Sequence, residues 1–223
     1  GYTLKLIREE ISTTYKKRMQ EALESIEMLK GSLQKKDMYA HPAYVTPLVE
    51  YITDDFRKSR IAINDDTIGG MIVCDSSDQA KVVFEKMQNT GFSSALILHD
   101  VDDKETRQGY VTAFKKGTID FLIVYNMLLT GFDAPRLKKL YLGRVIKDHN
   151  LLQALTRVNR PYKGYRYGYV VDFADIRAEF DKTNKAYFDE LQAELGDAFK
   201  QYDNIFKSKE DIAKDLETIK EKL

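Results

Sequence analysis

Phe121-Leu122-Ile123-Val124-Tyr125 and Lys139-Leu140-Tyr141-Leu142, joined through the turn Thr130-Gly131-Phe132-Asp133-Ala134-Pro135, decide the fold. Both runs are apolar along nearly their whole length and rich in branched and aromatic residues. Strands read this way when both of their faces are covered, as in a parallel sheet. Similar runs occupy 71–74, 95–99 and 167–173, and amphipathic stretches at 78–89, 106–116 and 150–159 lie between them. Short apolar runs alternating with helical patterns predict βαβ units with right-handed crossovers. The expectation is therefore an α/β domain whose parallel sheet has about five strands, with helices on both faces.

Outward from this core the pattern changes. Residues 1–38 carry Ile7, Ile11, Tyr15, Met19, Leu23, Ile26, Leu29 and Leu33 at helical spacing among charges, which predicts one or two helices. His41-Pro42 breaks the pattern, and Thr46-Pro47 is expected to open another helix running to about 57. Asn64-Asp65-Asp66 and Gly69-Gly70 mark a loop. Beyond 175 the spacing of Phe180, Tyr187, Leu191, Leu195 and Phe199 is again helical. The expected division is a helical extension at 1–60, the α/β lobe at 61–175 and a helical segment at 176–223.

A composition of 43% hydrophobic and 31% charged residues is that of a soluble protein, and no apolar run approaches the roughly 20 residues needed to span a bilayer. The chain begins with Gly1 and shows no basic and apolar leader, so a fragment of a longer cytoplasmic protein is expected. A single cysteine, Cys74, excludes an internal disulfide and points to a reducing compartment. With it, only His41, His99 and His149 supply soft ligands, too few for a structural zinc site, so no metal site is expected. Acidic and basic residues balance at 35 each. Their distribution is uneven: between 136 and 166 there are nine lysines and arginines against the single acid Asp148. Such a run can hold phosphate, or can simply be a solvated face.

Ligands of open α/β sheets sit beyond the carboxyl ends of the strands. Three segments that follow strands are therefore candidates: Asp75-Ser76-Ser77, the turn from Leu129 to Pro135, and the helix from Gln153 to Arg160. Gly131 lets backbone approach a ligand, and Asp133 accepts hydrogen bonds from a hydroxyl or an arginine; an ordinary turn would use the same residues. Arg157 and Arg160 share a helix face with Gln153 and Thr156. Two adjacent guanidiniums match the oxygens of a phosphate, although salt bridges on a surface helix would also accommodate them.

Thr130-Gly131-Phe132-Asp133-Ala134-Pro135 resembles motif V of superfamily 2 helicases, and Gln153-x-x-Thr156-Arg157-x-x-Arg160 resembles their motif VI, with Thr156 where a glycine is usual. The variant Gln153-Ala154-x-x-Arg157-x-Asn159-Arg160, followed by a basic linker and Val170-Val171-Asp172-Phe173, is similar to the R subunit of type I restriction enzymes. That resemblance covers roughly 45–175. It implies the second RecA-like lobe of a DNA-translocating ATPase, in which Arg160 is the arginine finger and Arg157 contacts the same phosphate or an acid of the first lobe. Gln153 would face the motor site, and Gly131 and Asp133 would couple nucleotide state to DNA. Thr130 and Ser76 would touch the DNA backbone.

No G-x-x-x-x-G-K-[ST] loop is present, and no glycine is followed by lysine. Asp189-Glu190-Leu191-Gln192 falls in a helical stretch, not at a strand end, and no nuclease-type acidic cluster stands out. ATP and Mg2+ are accordingly expected to be bound mainly by a missing first lobe, and the isolated chain is expected neither to hydrolyse ATP nor to cut DNA. Implied partners are double-stranded DNA, the first lobe and nuclease domain of the same protein, and the modification and specificity subunits of a restriction complex; no membrane is involved. A repair or remodelling helicase lobe, or a non-catalytic α/β binding module, are the alternatives.

Overall fold

The computed structural model describes residues 5–30, 34–127, 133–144, 146, 148–165 and 167–173. In order these form β1 (Lys5–Glu10), α1 (Thr13–Lys30), α2 (Lys35–Ala40), α3 (Pro42–Ile63), β2 (Gly69–Val73), α4 (Ser77–Met87), β3 (Ser94–Ile97), α5 (Lys104–Lys116), β4 (Phe121–Val124), β5 (Leu137–Leu142), α6 (Asp148–Val158) and β6 (Tyr167–Asp172). Contacts divide the chain into a unit at 1–180 and another at 181–223. The expected helices beyond 175 lie outside the described residues.

All strand pairings are parallel, in the order β1-β6-β5-β2-β4-β3. Among the described residues this is the expected α/β parallel sheet with helices on both faces, with six strands in place of about five. Side chains of β2, β4 and the part of β5 after its bulge alternate between two covered faces. Met71, Val73, Leu122, Val124, Leu140 and Leu142 pack beneath α5 and α6. Ile72, Cys74, Phe121, Ile123 and Tyr141 pack beneath α1, α3 and α4. On that second face a chain of rings runs through Phe92, Phe56, Phe121, Tyr141 and Phe173, with neighbouring centroids 4.4 to 6.5 Å apart. Aromatic pairs in this range add directional attraction to the burial of their area. Among the described residues no helix is long and apolar enough to cross a membrane.

Two expectations at the amino-terminal end need correction. Residues 5–10, read as helical, form an edge strand pairing with β6, with Lys5 opposite Tyr167 and Glu10 opposite Asp172. Its charged residues find distant partners. Arg8 donates to Asp172 at 2.7 Å, and Glu9 accepts from Lys139 at 2.5 Å across the Tyr169 ring. Asp55 of α3 closes this second cluster, 2.8 Å from Lys139 and 2.7 Å from the Tyr141 hydroxyl. The third helix also begins earlier than expected, at Pro42. His41 caps it by accepting from the Ala43 amide at 3.2 Å, which leaves Pro47 inside the helix. It runs past 57 to Ile63, where Asn64 at φ 54° turns the chain and donates its N–H to the carbonyls of Arg60 and Ile61.

Candidate functional site

The helix α6 carries two faces. Leu151, Ala154, Leu155 and Val158 are buried, at the i, i+3, i+4, i+7 spacing of an apolar stripe against β5 and β6. Gln153, Thr156 and Arg157 are half-buried on the other side, and Arg160 is exposed just beyond the last turn. The Thr156 hydroxyl donates to the Gln153 carbonyl at 3.0 Å, so the residue that replaces the usual glycine is satisfied by its own helix. Pro161 bars continuation of the helix and disfavours helical backbone at Arg160, where the chain bends.

Packing at the end of α6 is close. A Cβ at Gly168 of β6 would stand 2.5 Å from the Val158 carbonyl oxygen and 2.8 Å from its carbon, so only glycine lets the helix terminus rest on the strand. Lys138 of β5, 1% exposed, donates from Nζ to the Arg160 carbonyl. Neither residue belongs to a motif: Gly168 carries no local signal, and Lys138 is distinguished in the sequence only by its place in the basic run.

The motif residues meet here. Asp133, at the end of the turn before β5, lies 3.7 Å from Arg160 Nε, and the two side chains are 60% and 50% exposed. Burial, then the neighbouring Arg160 charge, holds the Arg157 guanidinium below its usual range, while Asp133 opposes the shift. Asp133, Arg157 and Arg160 therefore share one electrostatic environment at one rim. That rim differs from the expected one. These residues lie at the amino ends of β5 and β6, not beyond the carboxyl ends of the strands, because α6 covers about 16 Å in its 11 residues and returns the chain to the opposite edge. Asp133 precedes β5 in the same way, at the amino end of that strand.

Ser76 stands at the other rim, after β2. Its oxygen accepts from the Gln79 amide at 3.1 Å as the N-cap of α4, and the Gln79 side chain bridges the Asp75 amide at 2.6 Å and the Tyr39 carbonyl at 3.1 Å. Thr130 and Gly131 lie outside the described residues.

Most of the basic run between 136 and 166 has structural employment. Arg136 is buried and donates to the carbonyls of Thr67, Phe114, Ile119 and Ile68 at 2.7 to 3.3 Å. Lys139 sits in its carboxylate cluster, and Lys163 lies 2.9 Å from Asp65. Arg144 stacks on Tyr125, 5.1 Å from the ring centre. Arg157, Arg160 and Lys163 share the rim with some access to solvent; Lys163 is paired with Asp65 at 2.9 Å, whereas Arg160 meets Asp133 only at 3.7 Å. Two guanidiniums fit the terminal oxygens of a nucleotide but offer no cradle for a whole triphosphate. Among the described residues no group of three or more His, Cys, Asp or Glu is placed to hold a metal ion.

Comparison with known proteins gives a consistent result. The family model for type I restriction enzyme subunit R domain 3 matches residues 10–175. A protein of Methanocaldococcus jannaschii named as the MjaVIIP type I restriction enzyme endonuclease subunit is 41% identical over 106 residues, which are 46% of this chain and 10% of the relative. The type I restriction enzyme SsaAORF53P endonuclease subunit of Staphylococcus saprophyticus is 37% identical over 94 residues, 36% of this chain and 10% of the relative. The match thus spans about a tenth of the length of these curated relatives. A solved fragment of an HsdR subunit of a type I restriction enzyme from Vibrio vulnificus YJ016 superposes with a TM-score of 0.52, covering 78% of this chain and 32% of that one. Sequence identity is 14%, so the likeness is one of fold.

Proposed function

This chain belongs to the type I restriction enzyme subunit R domain 3 family, and from that membership we propose that it is the second RecA-like lobe of an ATP-driven DNA translocase. Arg160 acts as the arginine finger on a nucleotide bound by a first lobe, and Arg157 sits beside it. The observation that carries the reading is the meeting of Asp133, Arg157 and Arg160 at one solvent-facing rim. A finger needs an ordered backbone and an exchangeable head group. The backbone of Arg160 is held by Lys138, while among the described residues its guanidinium makes a long, half-exposed ion pair with Asp133. Such pairs contribute roughly 0–1 kcal/mol, so a phosphate displaces Asp133 at little cost.

ATP and Mg2+ are held mainly by the first lobe in this reading, and Gln153, Gly131 and Asp133 respond to the nucleotide from this side. Thr130 and Ser76 contact the phosphodiester backbone of double-stranded DNA. The Ser76 oxygen is already an acceptor for Gln79, and its hydroxyl proton is what it has to offer a phosphate. In the whole subunit a nuclease domain cuts the DNA, and separate modification and specificity subunits complete the complex.

The test is Arg160→Ala in the full-length R subunit. A group that acts on charge developing as the γ-phosphoryl leaves is worth about 10³ to 10⁵ in turnover. ATP hydrolysis should fall by that order, while the affinity for a fluorescent nucleotide analogue changes by no more than about threefold. Loss of binding and turnover in equal measure would overturn the assignment.

A further inference from the structure

Lys138 occupies an irregularity in the sheet. In the pairing of β2 with β5, Gly69 stands opposite Leu137 and Gly70 opposite Lys139, so Lys138 is the extra residue of a β-bulge. Bulges re-aim side chains, and they are over-represented beside functional sites. Lys138 has the parity of Leu140 and Leu142, which pack beneath α5 and α6, and it reaches the Arg160 carbonyl on that face. Its neighbour Lys139 points to the other face and is matched there by the carboxylates of Glu9 and Asp55, at 2.5 and 2.8 Å. Lys138 has a main-chain carbonyl where Lys139 has carboxylates. Burial pushes its ammonium down to about 8, with no carboxylate among the described residues opposing the shift. The charge is therefore held at neutral pH against the preference of the fold, and an unbranched apolar side chain would fill the same space without that burden.

We propose that Lys138 is a positioning residue for Arg160, clamping its carbonyl so that the guanidinium projects from a fixed point on the rim. The proposal rests on the reading of Arg160 as an arginine finger. The last carbonyls of a helix lack intrahelical partners, and a lysine beside them bonds one and complements the negative end of the helix dipole. Here α6 ends at Val158, Pro161 restricts the residue before it, and Lys138 holds the carbonyl between them. An arginine has a long side chain with several free torsions. Fixing its backbone leaves only those torsions to be ordered when phosphate arrives, and a displacement of about 1 Å at a reacting group can cost 10²-fold in rate. A bulge in the central sheet, one buried cation and a proline thus act together on a single backbone position.

The experiment uses the full-length R subunit with ATP and DNA. Lys138→Met removes the ammonium and keeps most of the volume of the stem. The expected result is a fall of about tenfold to a hundredfold in kcat for ATP hydrolysis. KM for ATP should stay within about threefold, and Tm should hold or rise. Lys138→Arg, which retains a donor, should recover a large part of kcat. Arg160→Ala is run alongside. If that variant keeps normal turnover, the finger reading itself fails. If it is inactive and Lys138→Met turns over like the wild type, the positioning role falls alone. A Lys138→Met protein whose kcat and Tm drop together, with no recovery in Lys138→Arg, would show a lysine that serves only the fold, and would overturn the proposal.

Discussion

Asp65 and Lys163 illustrate how a single side chain ties the candidate site to the rest of the lobe. Lys163, in the turn between α6 and β6, lies 2.9 Å from Asp65 and donates to the Thr67 hydroxyl at 2.7 Å. Tyr162 beside it meets the same hydroxyl at 2.8 Å. Burial would raise the Asp65 carboxyl, but hydrogen bonds from Thr67 and Lys163 outweigh it and bring the group down to about 2 from 3.8. A lowered carboxylate stabilises the fold above its unfolded value, and that contribution is lost as pH falls through the folded one. Between about pH 4 and pH 2 the chain should lose about 2 kcal/mol that Asp65→Asn does not lose over the same range. Urea midpoints for both proteins at pH 5 and pH 2.5 measure the difference; parallel declines would remove Asp65 from this role. Arg136, by contrast, spends its donors on four carbonyls, which removes it from any phosphate site despite its place in the basic run.

At the scale of elements, α6 and β6 set the height of the rim. The glycine at 168 is required by closeness, since the Val158 main chain occupies the space of a Cβ and main chain cannot step aside as a flexible side chain would. Gly168→Ala should push the end of α6 outward and cost about 1–3 kcal/mol, the usual range for overpacking. In the full subunit it should also lower ATP turnover, because Arg157 and Arg160 ride on the displaced turn. Denaturant unfolding together with a turnover assay checks both, and an unchanged midpoint would show that the contact relaxes without effect. The edge strand β1 teaches a related lesson. Its sequence, Lys5-Leu6-Ile7-Arg8-Glu9-Glu10, has too many charges to read as a strand, and the partners of Arg8 and Glu9 lie 164 and 130 residues away.

For the whole molecule, the decisive expectation is that the chain by itself turns over no ATP. It offers two guanidiniums to a phosphate but no glycine-rich loop followed by lysine to bind one. Phosphate release by the purified 223-residue chain, with and without DNA, should stay at background, and sustained turnover would refute the two-lobe scheme. Local sequence determined the sheet of alternating apolar strands and amphipathic helices, the order of the two helicase-like segments, and the identities of Asp133, Arg157 and Arg160. Periodicity and residue type are written in contiguous stretches, and a reader of the chain can recover them. The tertiary structure alone decided that these three residues gather at the amino rim, that β1 joins the sheet, and which lysines and arginines are committed to the fold. It also decided that the bulge at Lys138 aims a buried ammonium at the Arg160 carbonyl. Each of these depends on where a crossover ends and on which distant segment lies opposite, and no window of neighbouring residues contains that information.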